Sequence, residues 1–373
     1  MPTPRTVAFI NHVGLISGAE QSLLILLANL DHARYQPILL CPPGPLAEQA
    51  RALDVVWRPW CGARLRRDLA ALPQLLCASL ALRPLLAEAD LIHANSLSAA
   101  LAAWPQRGCR PLLWHVRDLH LPALPARIMA RRADACLAIS NAVVDRLRRL
   151  GAPAERLHLL PNALDPATFQ PSRARAEVRA ELGLDGSQPV AIVVGQLVPW
   201  KGHGDLLAAW AQVRRAWPEA QLLVAGSDLF GEHADHVAAL REQADRAGGV
   251  RWLGARSDIA DLLAASDLLV LPSHNEPFGR VLLEAAAVGL PVVATWPGGP
   301  ADVVDAGRTG WLVPAGQPAV MAEAIGRAFG LTEPARESMG RAARARLERL
   351  FRPDQQAERL AAVYSRLSTG ESP

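Results

Sequence analysis

Two glutamates, Glu276 and Glu284, have the residue type and spacing of a site that holds hydroxyl groups. Apolar residues at helical spacing predict a helix over residues 280–288, so that Glu276 precedes the first turn and Glu284 lies along the helix. Carboxylates accept hydrogen bonds from hydroxyls, and the free N–H groups of a helix N-terminus bind anions such as phosphate. Pro277 suits the first turn, and we expect the two residues after it to leave their N–H groups free. The pattern favours a phosphorylated polyol as ligand; the alternative is that Glu284 is a solvated helix carboxylate.

Lys201 is the only lysine in a chain with 39 lysine and arginine residues. It follows a predicted strand at residues 190–194, in a loop that contains Gly195 and Gly202. A lysine ammonium is a compact charge with mobile donors, which suits phosphate, whereas arginine prefers planar bidentate partners. We predict that Lys201 contacts a phosphate group; the alternative is that this lysine has no special role.

The sequence Glu-Pro-Phe-Gly at residues 276–279, followed by Glu284 and by Gly-Leu-Pro-Val-Val-Ala-Thr at residues 289–295, resembles the donor-site motif of glycosyltransferase family 4. Members of that family are retaining enzymes with the two-domain GT-B fold. The resemblance implies that the first glutamate contacts hydroxyls of the donor sugar and the second contacts the nucleotide ribose.

The residues that the resemblance places in the site come from both halves of the chain. The donor-binding residues are Gly18, Gln196, Lys201, Asn275, Glu276, Pro277, Phe278, Gly279, Arg280 and Glu284. The acceptor-side residues are His115, Arg117 and Asp118, and the catalytic residues are Glu276, His115 and Lys201. The alternative for His115 is a core histidine that the backbone satisfies. We expect neither a metal ion nor a cofactor, because Lys201 and the helix end would offset the charge of the leaving diphosphate.

This sequence departs from the usual pattern of the family at three positions. Gln196 stands where the family usually has arginine, which removes one positive charge near the diphosphate. Ala163 replaces a glycine within residues 161–165, and alanine would be strained there if the turn needs a positive φ. Ser17 places a hydroxyl where the family often has glycine.

Short apolar runs that alternate with helical patterns predict an α/β protein with parallel sheets. The predicted strands near residues 90–96 and 112–118 end in polar residues, where ligand groups gather in parallel sheets. The resemblance implies a GT-B fold, with two Rossmann-like domains whose parallel sheets face each other across a cleft. We predict an acceptor-side domain at residues 1–170, a nucleotide-sugar-binding domain at residues 171–350, and a C-terminal helix at residues 351–373 that crosses back to the first domain.

Composition narrows the class of protein further. The 373 residues are 50% hydrophobic and 20% charged, as in ordinary globular proteins. Five cysteines without a CxxC pair argue against a disulfide framework and a zinc site, and they favour the cytoplasm. The first apolar run predicts a strand and no signal peptide. The uncharged stretch at residues 69–82 has 14 residues, fewer than the ~20 apolar residues that a membrane-spanning helix needs.

The net charge of +3 is unevenly distributed. Residues 1–170 contain 18 arginines and 12 acidic residues, a net charge of +6, while the remaining residues sum to −3. Within the basic half, Arg64, Arg66 and Arg67 precede the apolar stretch at residues 69–82 and Arg83 follows it. This pattern predicts peripheral contact with an anionic membrane at its cytoplasmic face; the alternative is a set of solvated helix ends.

Taken with the resemblance, these observations predict a retaining glycosyltransferase that moves a sugar from an NDP-sugar donor to a hydroxyl acceptor. We expect the acceptor to be a glycan or a lipid-linked molecule of cell-surface polysaccharide or glycolipid synthesis, and we expect no nucleic-acid partner. Two alternatives remain at this point. One is a non-catalytic protein that binds a nucleotide sugar or a partner, and the other is an epimerase-like enzyme on the same fold.

Overall fold

The computed structural model describes residues 3–62 and 71–369, which form two compact units. The first unit contains the described residues up to Ala163 together with those from Pro353 on, and the second is Leu164–Arg352. The chain therefore changes unit earlier than residue 170. Leu164 belongs to the second unit because its N–H donates to the carbonyl of Phe351 at 3.0 Å.

The first unit is a parallel sheet that is covered by helices. Its strands, in chain order, are β1 (Arg5–Ile10), β2 (Tyr35–Cys41), β3 (Val56–Pro59), β4 (Leu91–Ala94), β5 (Leu112–Val116), β6 (Ala135–Ala138) and β7 (Leu157–Leu159). The helices between them are α1 (Gly18–Asn29), α2 (Pro45–Arg51), α3 (Ala71–Leu85), α4 (Leu97–Ala103), α5 (Ala123–Arg132) and α6 (Asn141–Leu150). Across the described residues the strand order is β3-β2-β1-β4-β5-β6-β7. The near-continuous apolar runs of these strands fit burial on both faces of the sheet.

The second unit repeats the same plan with a second parallel sheet. Its strands are β8 (Val190–Val194), β9 (Gln221–Ala225), β10 (Val250–Gly254), β11 (Leu268–Leu271), β12 (Val292–Trp296) and β13 (Gly310–Pro314). Its helices are α7 (Arg175–Glu181), α8 (His203–Ala216), α9 (Ala234–Ala247), α10 (Ile259–Ala265), α11 (Arg280–Ala287), α12 (Pro300–Val303), α13 (Pro318–Phe329) and α14 (Glu333–Leu350). The strand order is β10-β9-β8-β11-β12-β13.

The last helix, α15 (Pro353–Thr369), belongs to the first unit. It packs against α1, and Leu360, Val363 and Tyr364 join the apolar core beneath that helix. Tyr364 meets Tyr35 edge to face at 5.2 Å between ring centroids. The amphipathic pattern of residues 351–367 is satisfied because its apolar face fills this core.

Each sheet has a point at which the strand order reverses. In the first unit β1 lies between β2 and β4, and in the second β8 lies between β9 and β11. Loops that leave the carboxyl ends of such a strand pair diverge to opposite faces of the sheet, which opens a crevice for ligands. The residues that follow β1, β4, β8 and β11 are therefore the candidates for function. No helix within the described ranges has both the length and the apolar character needed to cross a membrane.

Candidate active site

The two loops at the reversal point of the second sheet bring Lys201 and Glu276 into direct contact. Lys201 follows β8 and Glu276 follows β11, and their Nζ and Oε2 atoms are 2.8 Å apart. The side chains are 18% and 7% exposed, so water screens this ion pair only in part. The Lys201 ammonium also lies 4.3 Å from the centroid of the Trp200 ring. The lone lysine and the first glutamate of the motif thus form one charged unit.

Gly202 makes the close approach of these two loops possible. Its φ is +70°, and a Cβ added there would lie 2.0 Å from the carbonyl oxygen of Pro272. In the other loop, Asn275 has a φ of 55°, a left-handed conformation that asparagine tolerates better than most residues. The loop therefore turns sharply just before Glu276 and directs the chain into α11.

Glu284 lies on α11 and pairs with a residue of the same helix. Arg280 and Glu284 are in contact at 2.6 Å, and their side chains are 14% and 9% exposed. Burial raises the pKa of Glu284, and the Arg280 charge opposes that shift. The alternative that Glu284 is a solvated helix carboxylate is wrong, because the carboxylate is buried and paired.

The other predicted donor-site residues of the second unit lie in the same two loops, after β8 and β11. Phe278 is buried and meets Phe351 edge to face at 5.9 Å between centroids. Gly279 is the N-cap of α11 with a φ of 85°, and the helix begins at Arg280. The predicted start of the helix at residue 280 is confirmed, whereas Pro277, which was expected to suit the first turn, lies three residues before the helix begins. Gln196 is half-buried in the loop after β8.

A third pair of charged or polar side chains beside this loop escaped the sequence-based prediction. His274 Nε2 lies 2.7 Å from Asp205 Oδ2 on α8, and the N–H of His274 donates to the Trp200 carbonyl at 2.7 Å. Next to Lys201, burial lowers the pKa of His203 to about 4, so that this histidine is neutral at physiological pH. The signal in the sequence was Asp205, an aspartate in the first turn of α8, where an acidic side chain is favourable and can meet a polar partner.

In the first unit, a chain of amide groups connects the loops after β1, β4 and β5. Asn11 donates to Glu20 at 3.2 Å, and Asn95 donates to the side-chain oxygen of Asn11 at 2.9 Å. Arg117 donates to Asn95 at 2.6 Å and to Asn162 at 2.8 Å. Arg117, predicted on the acceptor side, thus holds the reversal point of this sheet together.

His115 continues this network into the sheet. It is fully buried on β5, and its Nδ1 atom lies 3.0 Å from Nε2 of His93 and 3.4 Å from Arg117. Nδ1 of His93 in turn lies 2.6 Å from the hydroxyl of Tyr364 on α15. Burial and the Arg117 charge hold the pKa values of His93 and His115 well below the ordinary range. Both imidazoles are therefore neutral at physiological pH.

The other residues of the first unit that the sequence analysis singled out lie at the start of α1 and in the loops after β5 and β7. Gly18 is the first residue of α1, and no protein atom lies within 4 Å of a Cβ added there. The Ser17 backbone N–H donates to Glu20 at 3.1 Å, which is part of a capping box for α1, and the Ser17 hydroxyl donates to the same carboxylate at 2.6 Å. Asp118 is exposed and accepts from the His120 N–H at 2.8 Å. Ala163 is buried without a positive φ, so the turn tolerates alanine.

Two sequence-based predictions concern metals and membranes. Within residues 3–62 and 71–369, no group of three or more histidine, cysteine, aspartate or glutamate side chains is arranged to hold a metal ion. Arg64, Arg66 and Arg67, which contributed to the predicted membrane contact, lie outside the described residues. Arg83, Arg127, Arg131 and Arg132 lie within them and are exposed.

Two Rossmann-like units with parallel sheets, each with its polar residues at a reversal point, define the GT-B fold. Two family models match successive parts of the chain: glycosyl transferases group 1 matches residues 174–346, and Glycosyltransferase Family 4 matches residues 16–168. The chain belongs to the family 4 glycosyltransferases.

Curated relatives and a solved structure agree with this assignment. A D-inositol 3-phosphate glycosyltransferase from Segniliparus rotundus is 40% identical over 41% of this chain and 35% of its own length. Its namesake from Corynebacterium jeikeium is 33% identical over 64% of this chain and 63% of its own length. The chain thus spans less than two thirds of the curated relatives that it matches. The crystal structure of Alr3699/HepE from Anabaena in complex with UDP-glucose is 26% identical, with a TM-score of 0.86 over 96% of this chain and 99% of that protein.

Proposed function

We propose that this protein is a retaining glycosyltransferase that moves a sugar from a nucleoside diphosphate sugar to a hydroxyl of a glycan or lipid-linked acceptor, without a metal ion. The observation that carries the proposal is the contact between Lys201 and Glu276 at the reversal point of the second sheet. It joins a group suited to a diphosphate with a group suited to sugar hydroxyls. Arg280 begins helix α11 after this loop, and Glu284 lies one turn along that helix, where a ribose would follow the diphosphate.

The charges of these residues determine how a donor would bind. Each cation in this part of the site already has a carboxylate partner, Lys201 with Glu276 and Arg280 with Glu284. Gln196 adds no charge, and His203 is neutral at physiological pH. A diphosphate therefore competes with Glu276 for the Lys201 ammonium. Displacement of Glu276 from Lys201 would free its carboxylate to accept hydrogen bonds from the sugar, so that donor binding itself would prepare this residue.

The reaction that we propose breaks the bond between the anomeric carbon and the diphosphate oxygen, which keeps the electron pair. A bond to the acceptor oxygen forms on the same face of the sugar, with retention at the anomeric carbon, and the proton of the acceptor hydroxyl passes to the leaving diphosphate oxygen. Lys201 would stabilise the negative charge that grows on the leaving oxygen. Glu276 would orient the sugar during this step.

A thermal-shift screen against UDP-, GDP- and ADP-sugars tests this function. UDP-glucose is the first ligand to test, because the HepE structure was solved with it. A donor at a hundred times its Kd stabilises the fold by ~2.7 kcal/mol. For the donor that binds, the anomeric configuration of the product is then read from its proton coupling by NMR. Stabilisation by none of the nucleotide sugars would contradict the proposal, while stabilisation without transfer to any acceptor would favour a binding protein.

Activity is expected to survive excess EDTA, because Lys201 and the N-terminus of α11 offset the charge of the diphosphate. Turnover with the identified donor is measured before and after chelation, with Mg²⁺ and Mn²⁺ added back. Loss of activity that either ion restores would show that Lys201 cannot serve both the diphosphate and Glu276. The Gln196→Arg variant, which restores the charge usual in the family, would then reduce the need for metal.

We also propose that the first unit contacts an anionic membrane at its cytoplasmic face. Leu76 and Leu80 on α3 are 61% and 57% exposed, and Leu124 and Ile128 on α5 are 71% and 39% exposed. Helix α4 packs against both α3 and α5, so that the two apolar pairs lie on two helices that share a neighbour. Exposed arginines accompany them: Arg83, Arg127, Arg131 and Arg132. Exposed leucines flanked by arginines suit the boundary between lipid head groups and acyl chains.

Co-sedimentation with liposomes tests this contact. The protein is expected to bind vesicles that contain anionic lipid and to dissociate as salt rises, because each arginine near the surface contributes ~1 kcal/mol. The affinity of the double variant Arg83→Glu/Arg127→Glu for these vesicles should be at least about tenfold lower. Arg215→Glu, an exposed position on α8 in the second unit, is the matched control. Absence of binding to anionic vesicles at low salt would contradict membrane contact and favour an acceptor in solution.

A further inference from the structure

The contacts of His93, His115 and Tyr364 form a line of three buried groups in the first unit. The Tyr364 hydroxyl lies 2.6 Å from Nδ1 of His93, and Nε2 of His93 lies 3.0 Å from Nδ1 of His115. All three side chains have 0% exposure. The His93 ring is held in place by Phe9, which stacks on it at 4.7 Å between centroids. Neutral imidazoles can carry the proton on either ring nitrogen, so the hydrogen bonds of this line can run from Tyr364 to His115 or in the opposite direction. Another group must determine which direction is adopted.

We propose that Arg117 fixes the direction of this line, so that His115 carries its proton on Nε2, with Tyr364, His93 and Arg117 as positioning residues. A guanidinium can only donate, and NH2 of Arg117 lies 3.4 Å from Nδ1 of His115. Nδ1 of His115 therefore accepts: its lone pair takes the Nε2–H of His93 at 3.0 Å, and the Arg117 guanidinium attracts the same nitrogen at longer range. Since His93 then has its proton on Nε2, its Nδ1 accepts from the Tyr364 hydroxyl.

The opposite direction would place like groups against each other. His115 would carry its proton on Nδ1, and that N–H would point toward the positively charged Arg117. The contact of 3.4 Å is long for a hydrogen bond, but the repulsion between a guanidinium and an N–H does not require hydrogen-bond distance. Burial lowers the pKa of Arg117 to about 10, which leaves the guanidinium charged at physiological pH.

In this tautomer, the Nε2–H of His115 is a hydrogen-bond donor that can bind an oxygen of a ligand. Nε2 of His115 is buried and has no partner among the residues that the structure describes. A buried N–H without an acceptor is rare in proteins and indicates that a water or a ligand completes it. Resting on the proposed function, we assign that place to an oxygen of the sugar donor or of the acceptor. His115 then contributes as a fixed hydrogen-bond donor and does not accept a proton as a general base.

The tautomer can be read directly from the protein without substrate. The protein is labelled with ¹⁵N-histidine, and a long-range ¹H–¹⁵N spectrum distinguishes the two ring nitrogens of each of the 10 histidines. The signals of His115 are identified by their loss in His115→Gln. We expect an unprotonated Nδ1 and a protonated Nε2 for His115 in the wild-type protein. A proton on Nδ1 would overturn the proposal, whatever the protein catalyses.

Two variants of Arg117 separate the charge from the packing. Arg117→Lys keeps a group that only donates, and we expect His115 to remain in the Nε2–H form. Arg117→Gln can accept as well as donate, and we expect a second population with the proton on Nδ1. Retention of the Nε2–H form alone in a folded Arg117→Gln protein would show that Arg117 does not set the direction. If that variant does not fold, the wild-type spectrum still decides the tautomer.

A matched pair at His115 tests the donor role in turnover. Glutamine places an amide N–H near the position of Nε2, whereas asparagine is too short and places it near Nδ1. We expect His115→Gln to retain kcat/KM within about tenfold, the value of one ordinary hydrogen bond, and His115→Asn to lose about a hundredfold, as for a lost transition-state donor. Equal losses in both variants would contradict a donor at Nε2. Failure of every nucleotide sugar to bind would instead contradict the proposed function and leave the tautomer result unchanged.

Discussion

Replacement of Glu276 by glutamine is expected to lower sugar transfer by about a hundredfold while NDP affinity stays the same or rises. The carboxylate is expected to meet the sugar, where glutamine is a weaker acceptor. It also occupies Lys201 at 2.8 Å in the ligand-free protein. The Glu276→Gln variant removes this competitor, so the ammonium becomes more available to a diphosphate. Transfer is measured with the donor that the thermal-shift screen identifies, and NDP binding is measured by calorimetry.

Glu284→Gln is the matched control, because it changes a second buried carboxylate in the same way. It is expected to weaken NDP by about tenfold, since the ribose loses a charged acceptor and Arg280 loses its partner. Turnover at saturating donor should change much less. Loss of NDP binding in Glu276→Gln with near-normal turnover would show that the roles of the two glutamates are reversed.

Lys201→Ala is expected to weaken both free NDP and NDP-sugar by ~1.5–3 kcal/mol, the value of a hydrogen bond to a charged group. It also leaves the Glu276 carboxylate buried without its cation, which adds repulsion against an incoming diphosphate. The double variant Lys201→Ala/Glu276→Gln should therefore bind NDP more tightly than Lys201→Ala alone. This order of NDP affinities distinguishes competition for Lys201 from an ion pair that has only a structural role.

The control for this prediction is Lys201→Arg, which keeps the charge but replaces a compact ammonium with a planar group. We expect it to retain part of the NDP affinity and to lose transfer, because the guanidinium cannot reproduce the geometry of the leaving oxygen. Circular dichroism and thermal unfolding show whether each variant remains folded. Unchanged NDP affinity in a folded Lys201→Ala protein would remove Lys201 from the donor site.

The donor motif was accessible from sequence because its residues are close along the chain and stand in a strand–loop–helix pattern. The start of α11 at Arg280 also followed from the helical spacing, but the left-handed conformation of Gly279 just before it did not. Glycine adopts that conformation and the helical one with little difference in energy, so the sequence alone does not choose. Lys201 and Glu276 were predicted to belong to one site, but their direct contact was not predicted.

The polar network of the first unit could not be predicted from the sequence. His93 and Tyr364 are 271 positions apart, and Arg117 and Asn162 are 45 apart. No periodicity or motif connects such positions, since tertiary packing alone brings them together. Ser17 and Glu20 have the spacing of a capping box, a local signal for the start of α1 that the sequence-based prediction missed. The partners of Glu20 beyond that box required the structure.

The return of α15 to the first unit has a consequence for synthesis on the ribosome. Tyr364 and Leu360 complete the core that Phe9, Leu23 and Tyr35 begin, yet the ribosome makes them after the whole of the second unit. Domains usually fold in the order in which they are made. Here the second unit can finish first, while the nascent first unit must wait with an uncovered apolar groove on α1 and with His93 lacking its tyrosine. The interval before α15 emerges is thus the period in which a chaperone would have most to protect.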